Sequence, residues 1–261
     1  MSAMANLEIN LEEEFQHLPQ APIVEAVIDI RARSTATFNE ESLRPQIEAA
    51  LTGYQFLDSH QELQHEIKLE DGQASSQIIR FDWKGLRFQS DDKKHIAQFN
   101  RDGFVFSRLE PYQDWPQLHS EAMKLWQVYL ELAKPVAIDR LGLRFINRIR
   151  LPIGEFQFED YMKSAPQPPQ GLDLPFAGFM HQDTLMVPGR SYVINIVKTI
   201  QPPAVDERSG AALILDIDVL TTQGYELDDG AELRRHLLEM RWLKNKAFFG
   251  SITDKAWALF K

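Results

Sequence analysis

Polar and apolar residues alternate with period two through long parts of this chain. Over residues 139–150, Arg140, Gly142, Arg144, Ile146, Arg148 and Arg150 fall on one face, and Leu141, Leu143, Phe145, Asn147 and Ile149 on the other. That pattern predicts a strand with one buried side. Residues 23–33 behave alike, with Val24, Ala26, Ile28 and Ile30 opposed to Glu25, Val27, Asp29, Arg31 and Arg33. Shorter strands are predicted over 63–69, 77–83, 86–90, 95–100 and 104–109. The turn pairs Asp71-Gly72, Lys84-Gly85, Asp91-Asp92 and Asp102-Gly103 punctuate them as in an antiparallel meander. Further strands are predicted over 176–187, 191–201 and 211–221, the last two separated by a polar loop around Pro202-Pro203-Ala204-Val205-Asp206-Glu207.

Helical spacing takes over in four places. Residues 41–51 predict a short helix capped by Asn39 or Ser42 and ended by Gly53. A second opens at the N-cap Asp114, with Pro116 in its first turn and Leu118, Ala122, Leu125, Tyr129 and Leu132 as its apolar stripe. Asp229 and Glu232 form a capping-box pair before a long helix with Leu233, Leu237, Met240 and Leu243 inward and Gly250 at its end. A last short helix spans 253–260. The predicted class is α+β: strongly twisted antiparallel sheet in two halves, each followed by a helix packed on one face. Residues 1–18 are expected to form a loose arm or a short helix, and 19–161 to hold the meander, a helix and the arginine strand. The Pro-rich stretch 162–175 is a linker or surface loop between the halves, and 176–261 form the second half. One sheet or two is left open.

Composition narrows the function classes. The 261 residues are 44% hydrophobic and 25% charged, ordinary for a globular chain. There is no cysteine, which excludes disulfides, zinc ribbons, iron–sulfur clusters and thiol nucleophiles. Residues 1–16 are polar and acidic without a basic, apolar leader, and no apolar run reaches membrane-span length; a cytoplasmic protein is expected. The net charge of −10 opposes nucleic acid as a partner. No phosphate-binding loop, dinucleotide fingerprint or nucleophile elbow occurs. His60 and His65 are spaced as surface residues, and His181 with Asp183 as a solvated strand face.

The candidate chemistry lies in the strands. Arg140, Arg144 and Arg148 share one face, with Asn147 beside them. Glu25 and Asp29 share a face of the first strand, and Asp216 and Asp218 a face of residues 211–221. Guanidiniums need acidic partners, a bound anion or water. Two readings follow. One is a lattice of cross-strand ion pairs without a ligand. The other is an anion site, in which Arg140, Arg144, Arg148 and Asn147 hold phosphate oxygens while Glu25, Asp29, Asp216 and Asp218 hold Mg²⁺ or Mn²⁺. The second is similar in style to the triphosphate tunnel enzymes, but the Glu-x-Glu-x-Lys opening of those enzymes is missing.

Five segments carry a resemblance: Pro22-Ile23-Val24-Glu25-Ala26-Val27; Phe106-Ser107-Arg108-Leu109-x-Pro111-Tyr112-x-x-Trp115; Arg140-x-Gly142-x-Arg144-Phe145-Ile146-Asn147-Arg148-Ile149; Asp216-Ile217-Asp218; and Phe249-x-x-Ile252-Thr253. In this order the chain resembles a family of uncharacterised proteins of similar length, sporadically distributed among bacteria and archaea. The resemblance implies a bacterial protein of a mobile-element, toxin–antitoxin or defence cassette, and assigns no catalytic residue. The first expectation is a binding protein with a protein partner and no cofactor. The alternative is a protein that binds a small phosphorylated ligand, or a metal-dependent phosphohydrolase.

Overall fold

Alternation along the chain is answered by one continuous sheet. The computed structural model describes residues 7–261 apart from 71–72, 155, 173, 175, 203–209 and 228–229, and describes the backbone alone over 63–70 and 73–81. In chain order the strands are β1 (Ile23–Arg31), β2 (Tyr54–Glu70), β3 (Gln73–Ser90), β4 (His95–Asn100), β5 (Gly103–Leu109), β6 (Ala137–Ile138), β7 (Arg140–Arg150), β8 (Met180–Met186), β9 (Tyr192–Gln201), β10 (Ala212–Thr221) and β11 (Tyr225–Glu226). Nine of them form one sheet in the order β2-β3-β4-β5-β1-β7-β10-β9-β8, and β6 pairs with β11. Every ladder is antiparallel. The halves on either side of 162–175 therefore share a sheet, joined where β7 pairs with β10.

Three longer helices, α1 (Glu40–Ala50), α2 (Trp115–Ala133) and α3 (Ala231–Ser251), are followed by the short α4 (Asp254–Trp257). The caps act as the spacing predicts. Asn39 accepts from the Ser42 N–H and Asp114 from the Gln117 N–H, satisfying donors that a helix start leaves open. Asp229, the first member of the predicted capping box, lies outside the described residues, as do Asp71-Gly72 and most of the loop at 203–209.

All three long helices cover one sheet face. Ala26, Ile28 and Ile30 of β1, Phe104 and Phe106 of β5, Leu141, Leu143 and Phe145 of β7, and Ile217 and Val219 of β10 are fully buried there. The cross-strand partners Ile28–Phe106, Ile28–Leu143 and Ile217–Phe145 place them in one layer. From α2, Trp126 and Tyr129 meet Phe104, and the Tyr129 hydroxyl donates to the Ala32 carbonyl at 2.6 Å. Leu237, Met240 and Leu243 bury the inner stripe of α3. Among the described residues, none of these three helices lies on the opposite sheet face.

Three expectations change. Lys84-Gly85 is not a turn, because β3 runs through it. Lys84 is the extra residue where the ladder shifts from Gln61–Trp83 to His60–Gly85, a bulge. Gly250 does not end α3, which continues to Ser251. The N-terminal segment is not loose over its described part: Glu13 accepts from Trp242 Nε1 (2.9 Å) and Lys246 Nζ (2.6 Å), and Phe15 stacks on Phe249. No helix among the described residues is long and apolar enough to cross a membrane.

Candidate functional site

The sheet face opposite the three long helices forms a polar groove of about 620 Å³. Its wall includes His60, Gln61 and Glu62 from β2 and Asp218 from β10, the first and seventh strands in sheet order. A flat sheet would set those strands about 29 Å apart at the usual interstrand spacing. One hollow touching both requires the sheet to curl over this face.

Odd-numbered residues of β1 and even-numbered residues of β7 and β10 build the floor. Asp29 is its hub. It accepts from Arg140 Nη2 at 2.6 Å and lies 2.9 Å from Arg31 Nε, with its side chain 15% exposed. Arg31 reaches Asp102 at 3.0 Å. Burial works to lower the Arg31 pKa, but the charges of Asp29 and Asp102 more than offset it, and the net shift is upward. Arg144 meets Asp216 through two nitrogens, Nε at 2.8 Å and Nη2 at 2.5 Å. That fork raises the Arg144 pKa, as expected of a bidentate pair. Towards β2, Lys84 joins Glu62 (2.8 Å) and Asp82 (3.1 Å). Gly142 lies between Arg140 and Arg144, opposite Asp29 in the ladder, so no side chain rises between the two guanidiniums.

Asp218 differs from its neighbours. It pairs across the ladder with Arg144, but its side chain makes no hydrogen bond among the described residues. Burial raises its pKa; Arg140 and Arg144 pull the other way without cancelling that effect. A raised folded-state pKa favours folding while the group is protonated. That contribution is complete below the unfolded-state value of about 3.9 and is lost as pH rises through the folded-state value. Asp218→Asn is therefore expected to unfold at higher denaturant than the parent near pH 7 and at the same concentration near pH 3. Equal midpoints at both pH values would contradict this account of Asp218.

The structure separates several residues that the sequence groups. Arg140, Arg144, Asp29 and Asp218 meet in the groove. Arg148 is one step further along β7, about 13 Å from Arg144 at the usual strand rise. It lines a different hollow with Arg150, Pro22, Val24 and Glu110. Asn147 is on the other face of β7, buried, with its amide donating to the Leu215 carbonyl at 2.9 Å; grouping it with the arginines is corrected. Glu25 follows a register shift in β1 and acts on Arg144 by charge alone. Asp29 and Asp216 are engaged by guanidiniums, and no group of three or more His, Asp or Glu side chains among the described residues is arranged to hold a metal ion. The proposed metal set Glu25, Asp29, Asp216 and Asp218 forms no such group, although Asp29 and Asp218 both line the groove.

His60 is exposed, as its spacing predicts, and stands in the wall of the groove; the His65 side chain lies outside the described residues. His181 and Asp183 are hydrogen-bonded at 2.9 Å on the exposed edge strand β8. Arg31 and Asp102 are site residues that no sequence motif marks. Arg31 was visible as the neighbour of Asp29 two positions along one strand face, whereas Asp102 looked like turn punctuation. Comparison with protein-family models, curated proteins and solved structures finds no match to this chain.

Proposed function

We propose that the protein is a binding module whose groove takes a segment of a partner polypeptide. The balance of charge in the groove wall carries this reading. Arg31, Lys84, Arg140 and Arg144 stand against Asp29, Glu62, Asp102 and Asp218, four of each sign, and most are already paired with one another. Such a surface has little net field to concentrate an anion. It does offer donors and acceptors side by side, which is what a peptide backbone and mixed side chains require. Arg140 Nε and Nη1 and Arg144 Nη1 make no protein hydrogen bond among the described residues and remain available as donors. Asp218 is available as an acceptor.

The test is affinity capture from the native host with the parent chain and with Arg140→Glu/Arg144→Glu. One reproducible protein partner, lost with the double variant, is expected. No reproducible partner, or one retained by the variant, overturns the reading. A second reading has one observation in its favour: Arg140 and Arg144, both half-exposed, stand on one face of β7 with only Gly142 between them. A phosphorylated small molecule would bridge the two guanidiniums, and it would raise Tm in a thermal-shift series with nucleotides, polyphosphate and Mn²⁺. Under the first reading no such rise occurs.

A further inference from the structure

A second cavity, of about 160 Å³, lies on the opposite side of the sheet, under the N-terminal arm. Four of the five sequence segments singled out above contribute to its wall: Pro22-Ile23, Tyr112 with Trp115, Asn147 and Phe249. The groove explains none of these positions. The remaining wall comes from the arm, with Phe15 to Leu18, and from α3, with Arg241, Lys244 and Asn245.

Lys244 is the unusual member. It is only 9% exposed. Its ammonium sits 4.0 Å from the centroid of the Phe145 ring, and it makes no hydrogen bond or ion pair among the described residues. Burial, helped by the nearby Arg241 charge, lowers its pKa to about 7. Arg241 lies over Trp115 and likewise has no carboxylate partner among the described residues. The one carboxylate in the described wall, Asp114, is occupied in capping α2, accepting from both the N–H and the side-chain amide of Gln117. A cation taken out of water without a counter-charge is costly. Lys244 is such a cation whenever it is protonated, half-buried Arg241 adds a second positive charge beside it, and the described wall holds no free anion.

We propose that the cavity is a binding site for a small organic carboxylate with an apolar body, gripped by Lys244 and Arg241. The carboxylate supplies the missing counter-charge. Aromatic walls, Phe15, Tyr112, Phe248 and Phe249 among them, take the body, and a cavity of this volume accepts roughly a benzene-sized group. Phe15, Gln16, His17 and Leu18 of the arm form one side of the hollow, which is open to solvent on another, and Glu13 fastens that arm to Trp242 and Lys246. The site is on the far face from the groove and stands or falls independently of it.

The test is titration calorimetry of the full chain with benzoate at pH 7, in two buffers of different ionisation enthalpy. Benzamide serves as the uncharged analogue and inorganic phosphate as the anion without an apolar body. Benzoate is expected to bind saturably; benzamide should bind about tenfold more weakly, the loss that removal of one charge-assisted contact produces, and phosphate also more weakly, because it buries no apolar body. Besides Arg241, the titratable groups facing Lys244 are Tyr112 and Asp114 from the loop after β5 and His17 from the arm. Burial lowers the Lys244 pKa to about 7, so a carboxylate that restores its charge should bind with proton uptake, and comparison with Lys244→Met assigns that uptake to Lys244. Lys244→Met should lose both affinity and proton uptake while remaining folded, because it removes an uncompensated buried charge at similar length. Arg241→Gln should weaken binding and retain the uptake. Absence of benzoate binding, equal binding of benzamide, or unchanged binding by Lys244→Met overturns the proposal. If Lys244→Met does not fold, the proton uptake and Arg241→Gln decide.

Discussion

Gly85→Ala is expected to lower Tm by roughly 6–12 °C, the shift that a loss of about 3 kcal/mol produces in a chain of this size. A Cβ at this position would stand 2.3 Å from the Phe99 carbonyl oxygen and 2.7 Å from Asn100 Cα. Both are backbone atoms of the neighbouring strand β4 and cannot rotate away. The ladder would have to open where Gly85 faces Asn100, beside the Lys84 bulge that bends β3 along the groove. Gly142→Ala is the control in the same sheet. Its Cβ would meet Asp29 Cβ at 3.5 Å and Arg140 Nη2 at 3.6 Å, ordinary contact distances. Thermal denaturation of the two variants side by side checks the argument. Equal losses would mean that a side chain anywhere in the sheet costs the same and that close approach at Gly85 is not the cause.

That contrast also shows where local pattern stops being informative. Alternation assigned Leu141 and Phe145 to the core and Arg140 and Arg144 to the other face, because side-chain direction in a strand is a local property with period two. Lys84-Gly85 looked like a turn because glycine marks turns and close approaches alike, and only the neighbouring strand tells them apart. Distance along a strand was the second blind spot. Arg144 and Arg148 share a face yet belong to different hollows, since four residues of strand outrun the reach of one ligand. Lys244 was legible in principle. It stands four residues after Met240 and seven after Leu237, on the inward stripe of α3, and a lysine on an apolar stripe is a buried charge in search of a partner. The cavity above it was not legible, because the arm, the loop after β5 and β7 come from three distant parts of the sequence.

Asp29→Ala should cost about 2 kcal/mol, a fall in Tm of roughly 4–8 °C, and should reverse the preference of the groove. The Asp29 carboxylate is the shared acceptor of Arg31 and Arg140 and is itself largely buried. Each hydrogen bond to a charged group is worth about 1.5–3 kcal/mol when shielded. The sum is reduced here because Arg31 and Arg140 are 37% and 40% exposed and recover water on release. Arg31 also keeps Asp102. The electrostatic consequence is sharper than the loss of stability. Removing one carboxylate from a wall with four charges of each sign leaves an excess positive charge beside Arg140 and Arg144. The variant should therefore bind inorganic phosphate or a nucleotide more tightly than the parent does, with an affinity that falls as salt rises. Asp29→Asn, which keeps one acceptor oxygen and removes the same charge, should gain the same anion affinity at a smaller cost in Tm. Calorimetric titration of parent and both variants with phosphate, at low and at physiological salt, measures the effect. If neither variant gains phosphate affinity, internal neutralisation by Asp29 is not what keeps the groove from acting as an anion trap.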